Sequence, residues 1–580
     1  MAQTSGIITT APSRPRWRIA PGRLASEFGR FARSRLALAP LDWGIAGLVF
    51  AGALVADFHQ ISGASLWFDE TFSIGAAGQP LHVMFGQVWK RDPNMQLYYT
   101  LLHFWLLLTT SLGLHPTETV TRAPSAVSAA LSSAALYLLG RRFLGQMAGV
   151  ISATLYTLSF FILMSAQQAR SYSLQLLFII IAWYMVFGAL HEEDARARRW
   201  WWTLYALAIT IGFYAHLYTF FTVVAQMTAL VALVILPGLW RGRAIHSLVP
   251  AAQSLVVIVV LILPLIYIAH HDGSHIGWVP PATPKDVYEI LFKYISSADL
   301  VYMYLLFALV LLALALTLVG RLVWRDRSGA SPTTPGGWFS WRIQPPPPGV
   351  TLLLCWMVAP FALTYAITQP YLNLHFFFSR YEVVIMPAIC LLAGLGIQLL
   401  PVRASQVMVI VALLEIVAVS APYYYTHNQI QDFRDPVTWM QTRYQPADGL
   451  ICFPNDLCSI PVQAYLSAYP GAAHFDVDSP GVYSWVKGYA VPVTLARAQT
   501  YAAHHTRIFY IVATLGGTKS DPSIDAAIRQ WLASRYILSG EQASSGVIVY
   551  LYTPRPPQPP AKTTKTTKAS RGTTATKPGA

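Results

Sequence analysis

Four separated blocks hold most of the chain's unusual polar side chains: Trp67-Phe68-Asp69-Glu70, Lys90-Arg91-Asp92-Pro93-Asn94, Gln167-Gln168-Ala169-Arg170-Ser171-Tyr172 and Ser379-Arg380-Tyr381. A short turn with Tyr214, His216 and Tyr218 adds to them, and Tyr98, Tyr99, His103 and Trp105 follow the second block. A carboxylate can take the proton of an attacking hydroxyl, and a positioned base contributes ~10²- to 10⁴-fold to such a step. A guanidinium suits a departing phosphate, because its planar fork donates two charged hydrogen bonds at once. Asp69 and Asp92 are the candidate catalytic acids. Glu70, Asn94, Tyr98, Tyr99, His103, Arg170, Tyr172, His216, Arg380 and Tyr381 are the candidate substrate-binding set. Each has a plainer alternative: an Asp-Glu pair opens many helices, arginines anchor spans at headgroups, and histidines fill polar corners. The argument for a site is joint placement, since independent anchors need not share one face. No His or Cys spacing typical of metal ligation occurs. Asp69 and Asp92 could together hold a divalent ion, and no other cofactor is implied.

What must bring these blocks together is a bundle of membrane helices. The 580 residues are 54% hydrophobic and 11% charged, far below the ~25% charge of soluble domains. Apolar segments lie at about 43–58, 120–139, 146–164, 172–189, 200–213, 219–237, 248–268, 301–320, 350–368, 382–400 and 406–423. Lipid offers the backbone no hydrogen bonds, so these must be helices. They predict an all-α polytopic membrane protein of about eleven spans, residues 41–424. The net charge of +14 does not point to nucleic acid, because its distribution reports topology. Seven arginines precede the first span, and Arg141, Arg142, Arg196, Arg198, Arg199, Arg241, Arg243, Arg321, Arg325, Arg327, Arg342 and Arg403 fall in alternate connections. The positive-inside bias puts all of these in the cytoplasm only if segment 97–112 does not cross. That segment is therefore read as a helix in the outer interface, within a long first outer loop, 59–119. The four blocks and the turn then face outward together.

On this topology residues 1–40 form a basic cytoplasmic tail and residues 425–553 an exterior domain. Strand-like runs at 449–453, 507–513 and 546–552, with a helical stretch at 522–535, give that domain a small α/β character. Cys452 and Cys458 lie in it; if it is exported they can form a disulfide or remain free thiols. Cys355 and Cys390 read as apolar filler within spans. The Pro-, Lys- and Thr-rich segment 554–580 cannot bury a core and is expected to be disordered, and the Pro-rich run 342–349 is expected to be a cytoplasmic linker.

The blocks, in this order and spacing over about 60–400, resemble the GT-C superfamily, and within it the bacterial membrane glycosyltransferases related to protein mannosyltransferases and lipid A aminoarabinose transferases. The resemblance implies a GT-C-like fold in the cytoplasmic (inner) membrane, a polyprenyl-phosphate-sugar donor and an inverting single displacement at the outer face. It makes Asp69 the base and puts Arg170 and Arg380 at the phosphate or headgroup. Asp92 stands where relatives often carry Glu or His before Pro-Pro. Here the block is Asp-Pro-Asn instead, a departure that carries an acceptor- or metal-holding role to Asp92 less directly than the base role to Asp69. The segment Gln431-Asp432-Phe433-Arg434 resembles the start of the C-terminal domain in such chains. Neither sugar nor acceptor, whether protein, glycolipid or polysaccharide, is indicated.

The rival class is a transporter of a lipid-linked or small polar solute. Its support is Glu415, an acid in mid-span, where insertion costs about 2.5–3.5 kcal/mol. The plainer reading of Glu415 is a carboxylic acid hydrogen-bonded inside the bundle. A scaffold would not need so many spans. A lipid-diphosphate donor would keep the same fold.

Overall fold

The computed structural model describes residues 38–236, 240–271, 279–318, 348–372, 374–427, 429–467, 473–515 and 521–555. The basic tail up to residue 37, most of the Pro-rich run and the tail from 556 lie outside the described residues. Every one of the eleven apolar segments is helical. In chain order the helices are Pro40–Phe58, Glu118–Phe143, Gln146–Thr157 with Phe160–Ala166, Tyr172–His191, Ala195–Ala215, Thr219–Ile235, Arg241–His271, Leu300–Leu318, Pro348–Ile367, Met386–Gln398 and Arg403–His427. Among the described residues eight helices are long and apolar enough to cross a membrane, or nine if the bent pair counts as one span. The chain is thus an integral membrane protein of mostly helical build with a small C-terminal sheet domain.

Local chemistry explains the elements that matter for the site. Helix Glu118–Phe143 buries a face of small residues, including Ala126, Ala129, Ala130, Ser132 and Ser133, which lets neighbouring backbones approach closely. At Gly140 an added Cβ would stand 2.7 Å from the Gly149 backbone of the next helix. That next segment bends by 63° between Thr157 and Phe160. The cause is Ser159, whose hydroxyl accepts the Ile162 N–H and starts a new helix. The short helix Phe160–Ala166 then delivers Gln167–Ser171 into the site. Helix Gln96–Ser111 buries Tyr98, Tyr99, Leu102 and His103 and exposes Leu101, Phe104, Leu107 and Leu108. An exposed apolar stripe backed by a polar, aromatic face suits the interfacial placement read for this segment.

Glu415 is a correction. It faces outward on helix Arg403–His427, so it is not a carboxyl hydrogen-bonded inside the bundle. The bundle interior there is occupied by Leu413 and Val417. An apolar groove of about 480 Å³ lies between this helix and Gln146–Thr157 and is lined by Ile410, Leu413 and Leu414. It shares no residue with the four polar blocks.

The C-terminal domain is built on a four-stranded sheet. Its strands are β1 (Gly449–Phe453), β4 (Ile508–Ala513), β5 (Tyr536–Ser544) and β6 (Val547–Pro554), ordered β1-β4-β6-β5, and a two-residue hairpin, β2 (Tyr483–Ser484) with β3 (Tyr489–Ala490), stands apart. β1 pairs parallel with β4, and the other pairs are antiparallel. The three strand-like runs and the helix Pro522–Arg535 are where the sequence put them. β5 is the addition: a polar edge strand with an irregularity between Leu538 and Gly540. Cys452 and Cys458 are joined by a disulfide. The hairpin places Trp485 against helix Phe68–Ala77, where only the missing side chain of Gly75 makes room; a Cβ there would come within 2.3 Å of the indole.

Candidate active site

Helix Phe68–Ala77 opens with Asp69 and Glu70 in its first turn, where carboxylates complement the unpaired N–H groups of the helix end. The two neighbours point to different fates. Asp69 stays about a quarter exposed and receives two cations: Arg380 Nη1 donates to its Oδ2 at 3.1 Å, and Arg170 Nη2 stands 3.7 Å from the same oxygen. Arg170 Nη1 also donates to the Asp69 carbonyl at 3.3 Å. The Arg380 guanidinium lies 4.4 Å from the Trp67 ring and 5.0 Å from Phe378, so aromatic faces fix its plane. Apart from Nη1, its N–H donors bind no described residue. Arg170 Nε is likewise buried without a hydrogen-bond partner among the described residues.

Asp92 closes the next side. It accepts the Asn94 N–H at 3.1 Å and the Tyr99 hydroxyl at 2.5 Å. Asn94 in turn accepts the Leu217 N–H at 3.0 Å, and its amide nitrogen lies 3.2 Å from His216 Nε2. The first outer loop is thereby tied to the turn between two distant helices. Rings of Tyr172, His216 and Tyr381 pack together, with His216 5.5 Å from Tyr172 and 5.2 Å from Tyr381. The Arg170 guanidinium lies 5.9 Å from Tyr172. Burial is the largest influence on Arg170 and opposes its charge, yet Asp69, then Tyr172, Tyr99 and Asp92, hold its pKa well above the usual value. His216 moves the other way: burial first, then Arg170, push it down to about 3, so it is a neutral ring near pH 7.

Glu70 is fully buried and is not part of the pocket. Its two oxygens accept Arg122 Nε and Nη2, each at 2.8 Å, and Oε1 also takes the Ala169 N–H at 2.8 Å. Arg122 further donates to the carbonyls of Ile61, Ala64 and Ser65. Arg122 escaped the sequence reading although a signal was present: a guanidinium within an apolar segment must be paired. Tyr98 and His103 are also corrected to packing roles. The Tyr98 hydroxyl meets Ser125 Oγ at 2.8 Å, and His103 Nδ1 lies 2.7 Å from the Ala77 carbonyl, so both are engaged by neighbouring helices. The structure therefore gathers Asp69, Asp92, Asn94, Tyr99, Arg170, Tyr172, His216, Arg380 and Tyr381. Among the described residues no group of three or more His, Cys, Asp or Glu side chains is arranged to hold a metal ion.

With this geometry in hand, three comparisons bear on the chain. Residues 99–268 match the family model described as dolichyl-phosphate-mannose-protein mannosyltransferase. No curated protein matches in sequence. Among solved structures the chain is similar to ArnT from Cupriavidus metallidurans in the apo state, at 14% identity and a TM-score of 0.55, covering 88% of this chain and 98% of that one. The same protein bound to undecaprenyl phosphate matches at 14% identity, the same coverage and a TM-score of 0.50. The archaeal oligosaccharyltransferase AglB from Archaeoglobus fulgidus, in complex with an inhibitory peptide and a dolichol-phosphate, matches at 12% identity and a TM-score of 0.48, over 87% of this chain and 74% of that one. The chain has the GT-C fold of membrane glycosyltransferases, as the polar blocks implied.

Two predictions follow from the buried groups. Arg122→Met leaves the Glu70 carboxylate buried without its cation, and losing one partner of a buried pair costs about 3–5 kcal/mol; a clear drop in melting temperature of the detergent-purified protein checks this. For His216 the pKa of about 3 lies below the ordinary 6.5, so the unfolded chain binds the extra proton as pH falls. Its contribution to stability is present above pH 6.5 and declines toward pH 3. His216→Gln should flatten part of that decline in melting curves recorded across the window, and the wild-type ring should add no limb to a rate profile between pH 5 and 8.

Proposed function

We propose that the chain transfers a sugar from a polyprenyl-phosphate donor to an acceptor hydroxyl, by inverting single displacement at the outer face of the cytoplasmic membrane. The observation that carries this reading is a single carboxylate, Asp69, held by two guanidinium groups from segments 210 residues apart, one of which keeps most of its donors unengaged. A base for the acceptor and a cradle for a departing phosphate thus share one partly open pocket. The undecaprenyl phosphate bound in a structure of the same fold agrees with that chemistry, as does the mannosyltransferase match over residues 99–268.

In the resting arrangement both arginines are turned onto the Asp69 carboxylate. A lipid phosphate changes this. It offers the guanidiniums a competing anion with matching bidentate geometry, and their turn toward it leaves Asp69 free to take the acceptor's proton. Attack on the anomeric carbon then breaks the bond to the phosphate, which departs with its charge on Arg170 and Arg380. Asp92 keeps Tyr99 and Asn94 in place and borders the acceptor side. Tyr381, partly exposed, offers a ring face on which a sugar can stack, backed by buried Tyr172 and the neutral His216 ring.

The N-terminus lies inside and residues 425–553 outside in this proposal. Support comes from the positive-inside distribution of arginine and from the Cys452–Cys458 disulfide, a bond characteristic of exported domains.

The decisive experiment is Asp69→Asn in the purified full-length chain, supplied with a panel of polyprenyl-phosphate hexoses and pentoses and with envelope extract as acceptor. Transfer should fall by at least ~10²-fold while the melting temperature is retained. Undiminished turnover would remove Asp69 from the base role, and a wild-type chain that releases no polyprenyl phosphate would remove the enzymatic reading altogether.

A further inference from the structure

Residues 65–67, which lead into the helix that carries Asp69, have no regular structure of their own, and the backbone donors of Ser65, Leu66 and Phe68 are met from outside the membrane bundle. Ser65 N–H donates to Gln429 Oε1 at 2.9 Å, Leu66 N–H to the Tyr465 hydroxyl at 2.7 Å, and Phe68 N–H to Gln431 Oε1 at 3.1 Å. All three acceptors lie beyond the last membrane helix, on the approach to the C-terminal domain or within it. Phe68 is the first residue of the helix that carries Asp69, and Trp67 before it provides no side-chain cap. An uncapped helix start leaves donors unsatisfied. Here the cap comes from Gln431, 363 residues away.

The cap is itself held. Gln431 is fully buried, and its Nε2 donates to the Thr514 carbonyl at 3.0 Å just beyond β4. That bond fixes which amide atom faces Phe68. Tyr465 is fixed in the same way: its hydroxyl donates to Glu118 Oε1 at 3.1 Å and meets Ser65 Oγ at 2.9 Å. Ser65 Oγ also accepts the Phe433 and Arg434 N–H groups. Arg434 reaches Glu118 at 2.8 Å and the carbonyls of Ser62 and Ala64. Later in the same first loop, Arg91 donates to Asp456 and to the Gly488 carbonyl, and its guanidinium lies 4.9 Å from the Tyr483 ring.

We propose that Gln431 and Tyr465 are positioning residues for Asp69: the C-terminal domain sets where the candidate base stands by capping the start of its helix. This rests on the assignment of Asp69 above. A shift of the helix start by an ångström would move the Asp69 carboxylate against Arg170 and Arg380, and misplacements of that size cost up to about a hundredfold in rate.

The test compares Gln431→Met, which removes the acceptor, with Gln431→Glu, which keeps an oxygen facing Phe68, and with Tyr465→Phe, all in the full-length chain. With a donor that the wild type turns over, Gln431→Met and Tyr465→Phe should lower kcat between about ten- and a hundredfold and leave KM for the donor within about twofold. Gln431→Glu should recover most of the lost kcat. Amide hydrogen exchange should rise at Phe68 in Gln431→Met and at Leu66 in Tyr465→Phe, while that of helix Pro522–Arg535 stays as it was. Wild-type kcat in Gln431→Met despite faster exchange at Phe68 would overturn the proposal. So would equal losses in Gln431→Met and Gln431→Glu accompanied by a lower melting temperature, which mark a merely structural contact. Inactivity of the wild type itself would instead sink the enzymatic premise, and the exchange data separate that case from a failed tether.

Discussion

The pocket depends on the ion pair between Glu70 and Arg122. Both groups are buried, with two bonds of 2.8 Å between them, in surroundings where an unpaired charge is costly. The remaining hydrogen-bonding capacity of the pair goes to backbone groups: Ile61, Ala64 and Ser65 on one side and the Ala169 N–H on the other. Because Glu70 binds Ala169, their neighbours Asp69 and Arg170 are brought side by side. The pair thus sets the register between the start of one helix and the end of the loop after another. Chemistry placed at residues 69 and 170 inherits that register without having to pack for itself.

This arrangement explains why the sequence disclosed some of the site and not the rest. Helices announce themselves through apolar runs, and all eleven segments are helical. Meeting of the blocks followed from topology alone: once the arginine-bearing connections were put on one side, Asp69, Arg170, His216 and Arg380 had to share the other. What adjacency in the sequence could not disclose is the opposite duty of Asp69 and Glu70. Successive residues on a helix point about 100° apart, so one carboxylate entered the pocket and the other the packed interior. Tyr98 and Tyr99 divided in the same way, Tyr99 toward Asp92 and Tyr98 toward Ser125. The side each takes depends on helix rotation, which is fixed by distant partners such as Arg122. β5 was hidden for a related reason: as an edge strand it lacks the apolar alternation of a half-buried one.

Glu415 shows the converse limit. An acid in an apolar run signals something unusual, but the run does not say which way the acid faces. Its outward position separates it from Asp69, Arg170 and Arg380, so whatever it does, it does not contribute to the convergent polar set.

The electrostatics of that set carry the last step. Arg170 and Arg380 bring two positive charges to the pocket, and Asp69 and Asp92 bring two negative ones. Asp92, however, already accepts the Tyr99 hydroxyl and the Asn94 N–H, so its charge is partly satisfied by neutral donors. Among the described residues the side-chain donors facing the Asp69 carboxylate are the two arginines. In the proposed reaction an arriving phosphate would therefore compete with one carboxylate for two guanidiniums, and among the described residues Arg380 has donors to give without first breaking its contact with Asp69. The packing of Arg380 against Trp67 and Phe378 would keep those donors in a fixed plane during such an exchange and so lower the reorganisation needed as charge develops on a leaving group. On the proposed reading the aromatic residues would act on the phosphate through the arginine they orient.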